Sequence, residues 1–334
     1  MRHNEAVTNA ERELTHPVDL CLDDGRLNPA AIGWSRRPLH RANITGWGRK
    51  KQWEYWGIVT PTHVVGVVLS NLDYAGLYSI YVLDRATGRE REVDTVVPLV
   101  RDAVLPRHCG EGTARSAGGN VSVVIEQEPT GSVLRATAKG IDLEVDLPLE
   151  GRDSLGVVVP WRDRRFQYTV KDLGRRVSGR LVLDGVTHVI DPADSFAVLD
   201  HGRGKWPYAI TWNWAAGAEP GTGRAIQLGG RWTDGTGSTE NAVFVDGVLH
   251  KISEDLAWSY DTSDPHRPWR ISGQRVQATL TPFHVRRSRT NLLVLSGDTH
   301  QAFGTWSGWA LADDGTKVSL DGLTGWAEEA RQRW

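Results

Sequence analysis

The segment Ile141-Asp142-Leu143-Glu144-Val145-Asp146-Leu147 alternates strictly between aliphatic and acidic side chains. A period of two puts the four aliphatics on one face of an extended chain and the carboxylates on the other, which suits a half-buried β-strand and no helix. Long helical periodicity is almost absent elsewhere, and short alternating runs broken by Gly, Asp-Gly and Pro-x-Gly dominate. Strands are predicted at Val121 to Gln127 and Ser132 to Ala138, joined through Glu128-Pro129-Thr130-Gly131 and followed by Lys139-Gly140, so the three form an antiparallel meander. Leu77 to Leu83 and Arg89 to Val93 read as a hairpin around the turn Arg85-Ala86-Thr87-Gly88.

Two Asp-Gly pairs predict tight hairpins, because such turns need positive φ at their centre. One spans Arg180 to His188 through Asp184-Gly185, the other Ala242 to His250 through Asp246-Gly247. Their shared form marks either a duplicated β domain or two ordinary hairpins that coincide. Asp191-Pro192-Ala193-Asp194 interrupts the strand pattern, and the chain reads as two β-barrel-like halves, residues 1–195 and 196–334. Thr324 to Trp334, with Glu328 and Glu329 early and Arg331 and Arg333 late, is the one segment whose charges suit a helix dipole, and it reads as a short C-terminal helix, with an exposed tail the alternative.

The 334 residues carry 39 Lys+Arg against 41 Asp+Glu, a balance that gives no general attraction to nucleic acid or to an anionic membrane. No apolar run approaches the ~20 residues of a spanning helix, and the first twenty residues lack a signal-peptide core. Cys21 and Cys109 show no metal-ligand or redox spacing; two free thiols in a cytoplasmic protein is the reading, with a disulfide between them the alternative. The unusual residues are 15 Trp and 36 Gly beside 5 Phe and one Met.

Those residues gather in three places. Leu199-Asp200-His201-Gly202-Arg203-Gly204-Lys205-Trp206-Pro207-Tyr208, followed by Thr211-Trp212-Asn213-Trp214, packs an acid, an imidazole, cations and aromatics together. Asp200 could orient His201 or be held ionised by Arg203, and Tyr208, Trp212 and Trp214 would share a strand face. The competing reading is a buried structural corner. Gly297-Asp298-Thr299-His300 leads into a strand bearing Trp306 and Trp309, which would face opposite sides. Near the start, Trp53 and Tyr55 would share one face and Glu54 and Trp56 the other, where they line a cavity. Neither a P-loop, an H-E-x-x-H pair nor a G-x-S-x-G elbow is present, and His188, His201, His250 and His300 have no ligand spacing, so no metal or cofactor is expected.

The runs DHGRGKWPY (200–208) with TWNWA (211–215), HQAFGTWSGWALADDG (300–315) with GWAEE (325–329), and KQWEYWGIVT (51–60) resemble the bacterial domain of unknown function 2804 family. That family is related to AttH-like and carotenoid 1,2-hydratase (hydroxyneurosporene synthase) proteins. The resemblance implies an all-β fold of two lipocalin-like antiparallel barrels or sandwiches with little helix. In the hydratase relatives it implies an acid that protonates an alkene inside an aromatic cavity, with water capturing the cation. It assigns no catalytic residue here. From the residues themselves the candidates are Asp200, His201 and His300 as proton-exchanging groups, with Arg203, Trp206, Tyr208, Trp212, Trp214, Trp306, Trp53 and Trp56 around the substrate. The expected function is a cofactor-free acid–base enzyme acting on a largely apolar small molecule by hydration or dehydration, cyclisation or isomerisation. A non-catalytic binder of an apolar ligand and a carbohydrate-active enzyme are the alternatives.

Overall fold

A computed structural model describes residues 10–100, 103–292 and 295–333. The chain divides into two compact units, one of Leu14–Trp206 and one running from Pro207 to the C-terminal end together with the segment through Glu13. Strand Phe196–Lys205 lies in the first unit. Helix is confined, among the described residues, to the 3-10 turn Pro29–Ala31. No helix among them is long and apolar enough to cross a membrane.

The first unit holds an eight-stranded and a six-stranded antiparallel sheet. The predicted meander is present as Val121–Glu128, Gly131–Ala138 and Ile141–Pro148 at the centre of the six-stranded sheet. Ile141, Leu143, Val145 and Leu147 are buried in a core shared with Ile58, Val65 and Val170 of the other sheet. Burying each such aliphatic contributes roughly 1.5–3 kcal/mol, which pins the register, since a one-residue slip would turn them outward. On the opposite face Glu144 pairs with Arg135 at 3.1 Å and Arg180 at 2.8 Å across the strands. Cys21 and Cys109 are free and buried. Burial raises both thiols, Cys21 to about 11.

The second unit is one curled ten-stranded antiparallel sheet around its own core. The N-terminal segment is tied to it by a buried ion pair between Glu11 and Lys251, reinforced by the Ser253 hydroxyl, which donates to Glu11 at 2.9 Å. Both Asp-Gly hairpins take the left-handed turn that their residues demand: φ is +49° and +84° at Asp184 and Gly185, and +51° and +78° at Asp246 and Gly247. Each closes an edge hairpin of its own sheet.

The expected C-terminal helix is absent. Thr324–Arg333 is instead a central strand, paired on one side with Ala209–Ala218 and on the other with Leu295–Leu311; Trp334 lies outside the described residues. The helix-dipole argument failed because it treated Glu328 and Glu329 as solvent-facing. Both are buried, on opposite faces of the sheet, and sheet pairing on both sides outweighs a weak local preference.

Candidate active site

The motif at 200–205 belongs to strand Phe196–Lys205, so its neighbours in sequence point apart. Asp200 and His201 therefore cannot act as a dyad. His201 and Arg203 face the core of the first unit, opposite Glu54 of Lys50–Val59. Glu54 Oε1 accepts from His201 Nδ1 at 2.8 Å and from Arg203 Nη2 at 2.8 Å. All three side chains are sealed, with 0%, 0% and 1% exposure for His201, Arg203 and Glu54. Burial works to raise the Glu54 carboxyl, but the Arg203 charge and the hydrogen bonds from His201 and Arg203 outweigh it and hold it below the ordinary carboxylate range. Burial and the Arg203 charge lower His201, so it is a neutral imidazole whose Nδ1–H serves Glu54. Arg203 also donates to the carbonyls of Trp53, Gly202 and Pro106. It thus locks a strand pair and a loop together, and Trp56 lies in the same core.

Asp200 points to the other face, where Lys171 sits at 2.8 Å and the Thr169 hydroxyl donates at 3.3 Å. The two glycines make that face flat. A Cβ at Gly202 would lie 2.2 Å from the ring of Trp53, and one at Gly204 would lie 2.3 Å from the Gln167 amide. Gln167 in turn accepts from the Trp206 indole at 2.6 Å, and Trp206 meets Trp53 and Trp161 edge-on at 5.3 Å each.

His300 belongs to the second unit. Its cross-strand neighbours are Glu329 and Arg287, and Asp298 lies 3.4 Å away. Glu329, 2% exposed, is faced by Arg331 at 2.8 Å and Arg231 at 3.2 Å and takes a hydrogen bond from the Tyr260 hydroxyl. Asn213, opposite Glu329 in the sheet, donates to the same hydroxyl at 3.0 Å. Tyr260 stacks on Trp269 at 4.1 Å. Burial, aided by the Glu329 hydrogen bond, pushes Tyr260 up to about 12, so it stays a hydroxyl. Burial lowers His300, as does the Arg287 charge, against the pull of Asp298 and Glu329.

The remaining aromatics are distributed. Trp212 donates to Glu328 at 3.0 Å and Trp214 to Gln227 at 2.9 Å, both on the sheet face opposite Glu329. Trp306 fills the core of the second unit and donates to the Ala216 carbonyl at 3.1 Å. Tyr208 is 46% exposed, beneath Arg333. Sequence reading put Glu54 on a face with Trp56 but missed its role, and it missed Glu329, Tyr260, Asn213 and Arg231. A period-two reading of Gly325 to Arg333 would have found Glu329; Tyr260 follows a three-residue strand and carries no local signal.

Among solved structures the chain is similar to kievitone hydratase from Nectria haematococca, with 13% identity, coverage of 86% of this chain and 89% of that one, and a TM-score of 0.52. It is similar to a putative AttH protein from Nitrosomonas europaea at 14% identity, 84% and 92% coverage and a TM-score of 0.52. The structure of CghA aligns at 12% identity over 90% and 89% of the two chains, with a TM-score of 0.50. At such identities these likenesses establish the shared lipocalin-like β fold. Comparison with curated protein sequences gives no match. The family described as domain of unknown function DUF2804 matches residues 11–334, and the chain belongs to it.

Proposed function

We propose that this protein is an acid–base enzyme that adds water to, or removes it from, a polarised carbon–carbon double bond of a small molecule. The observation that carries the reading is the row Asn213–Glu329–His300 with Tyr260 and Arg231. It combines a neutral imidazole, a hydroxyl and a guanidinium around one nearly buried carboxylate. A hydratase among the structures of the same fold is in keeping with it.

The chemistry closes with these groups. His300 takes a proton from water as the water oxygen bonds to one carbon of an enone-type double bond. Charge moves to the substrate oxygen, for which Arg231 is the hydrogen-bond donor. The imidazolium then returns its proton to the other carbon. Glu329 holds Tyr260, Arg231 and Arg331 in place. A positioned base of this kind contributes typically about 10²–10⁴-fold to rate.

The test is to incubate the protein with a library of alkenes and enones in ¹⁸O-water and search for labelled adducts by mass spectrometry. His300→Gln should lose about 10²–10⁴-fold of any hydration found. Rate should also rise with pH through a group titrating below the ordinary imidazole range. Hydration that survives both His300→Gln and Glu329→Gln overturns the assignment, and retention of a library member without conversion favours a passive binder.

A further inference from the structure

The face that carries His300 and Glu329 continues outward, and its character changes. One strand step beyond them the register aligns Thr211, Arg331, Asp298 and Arg289, and a second step aligns Arg333 with Ser296. Both rows line an open cavity of about 650 Å³ at the end of four adjacent strands. With Arg287 and Arg231, five guanidiniums gather near the carboxylates of Asp298 and Glu329 among the described residues.

The pairing is uneven. Asp298 is taken up by Arg287 through two hydrogen bonds, at 2.9 and 2.6 Å. Arg289 lies 3.5 Å from the same carboxylate, beyond good hydrogen-bond length. Arg333 lies over the Tyr208 ring at 5.8 Å, and among the described residues no carboxylate lies within ion-pair distance of it. Two cations thus converge on a cavity whose one acid is already committed to a third arginine. The fork of a guanidinium matches an oxyanion with two parallel hydrogen bonds, and Thr211 and Ser296 add hydroxyls at the wall.

We infer that this cavity is an oxyanion subsite, binding a carboxylate or phosphate through Arg289 and Arg333. Resting on the function proposed above, it further means that the substrate carries such a group. One strand step is about 7 Å, so the anion sits roughly 7–14 Å from the double bond that His300 serves. The substrate is then an apolar skeleton with an anionic end.

The experiment titrates inorganic phosphate, and separately citrate, into the full chain at low ionic strength, following binding by calorimetry. Saturable binding that weakens with salt is expected, and Arg289→Ala/Arg333→Ala should lose at least about tenfold in affinity. Preference for phosphate or for citrate tells which oxyanion the site takes. His300→Gln should bind as the wild type does, so failure of the catalytic reading leaves this result standing. Absence of saturable binding, or undiminished binding by a double variant that melts like the wild type, overturns the inference.

Discussion

Replacing Arg203 by Met tests whether the sealed Glu54–His201–Arg203 cluster is architecture. The guanidinium has no exposure and donates to Glu54 at 2.8 Å, to the Trp53 carbonyl at 2.7 Å, to Gly202 at 2.9 Å and to Pro106 at 3.2 and 3.3 Å. Methionine fills a similar volume but leaves the Glu54 carboxylate buried with only His201 beside it. Breaking a buried pair from one side costs about 3–5 kcal/mol, chiefly through the charge left behind. For a unit of this size that is a fall of roughly 6–20 °C in melting temperature. Glu54→Gln/Arg203→Met removes the stranded charge and should be more stable than the single variant by at least about 1 kcal/mol. Urea unfolding followed by Trp fluorescence reads all three proteins. A single variant that loses less than about 1 kcal/mol, or a double variant no more stable than it, would refute the reasoning.

Two further outcomes follow from the first unit. Burial lowers His40 to about 4, against the hydrogen bond to the Ala31 carbonyl at 2.9 Å. Between that value and the ordinary 6.5 the unfolded chain binds more protons, so acidification from pH 7 to 4.5 should cost up to roughly 3 kcal/mol. His40→Gln should flatten this window, and an unchanged slope of urea midpoint against pH would count against it. Gly202→Ala puts a methyl 2.2 Å from the Trp53 ring and should cost about 1–3 kcal/mol while shifting Trp emission. Adding Trp53→Leu should restore stability, and failure to do so would mean that the glycine serves something other than ring packing.

What the linear chain determined by itself was the class of structure and its turns. Strict alternation at 141–147 and the Asp-Gly pairs act through nearest neighbours, through side-chain direction and positive φ, and they reappear at the predicted residues. The same period-two logic already separates Asp200 from His201 once 199–205 is recognised as a strand. Tertiary structure decided who meets whom. Glu54 reaches His201 and Arg203 across about 150 residues, and Tyr260, just after a short strand, reaches Glu329 across 69 residues. These partnerships depend on sheet order and register, which are settled by the burial of whole faces. The C-terminal strand shows the same physics: its charges suit a helix locally, yet two neighbouring strands satisfy its backbone on both sides and bury both of its glutamates.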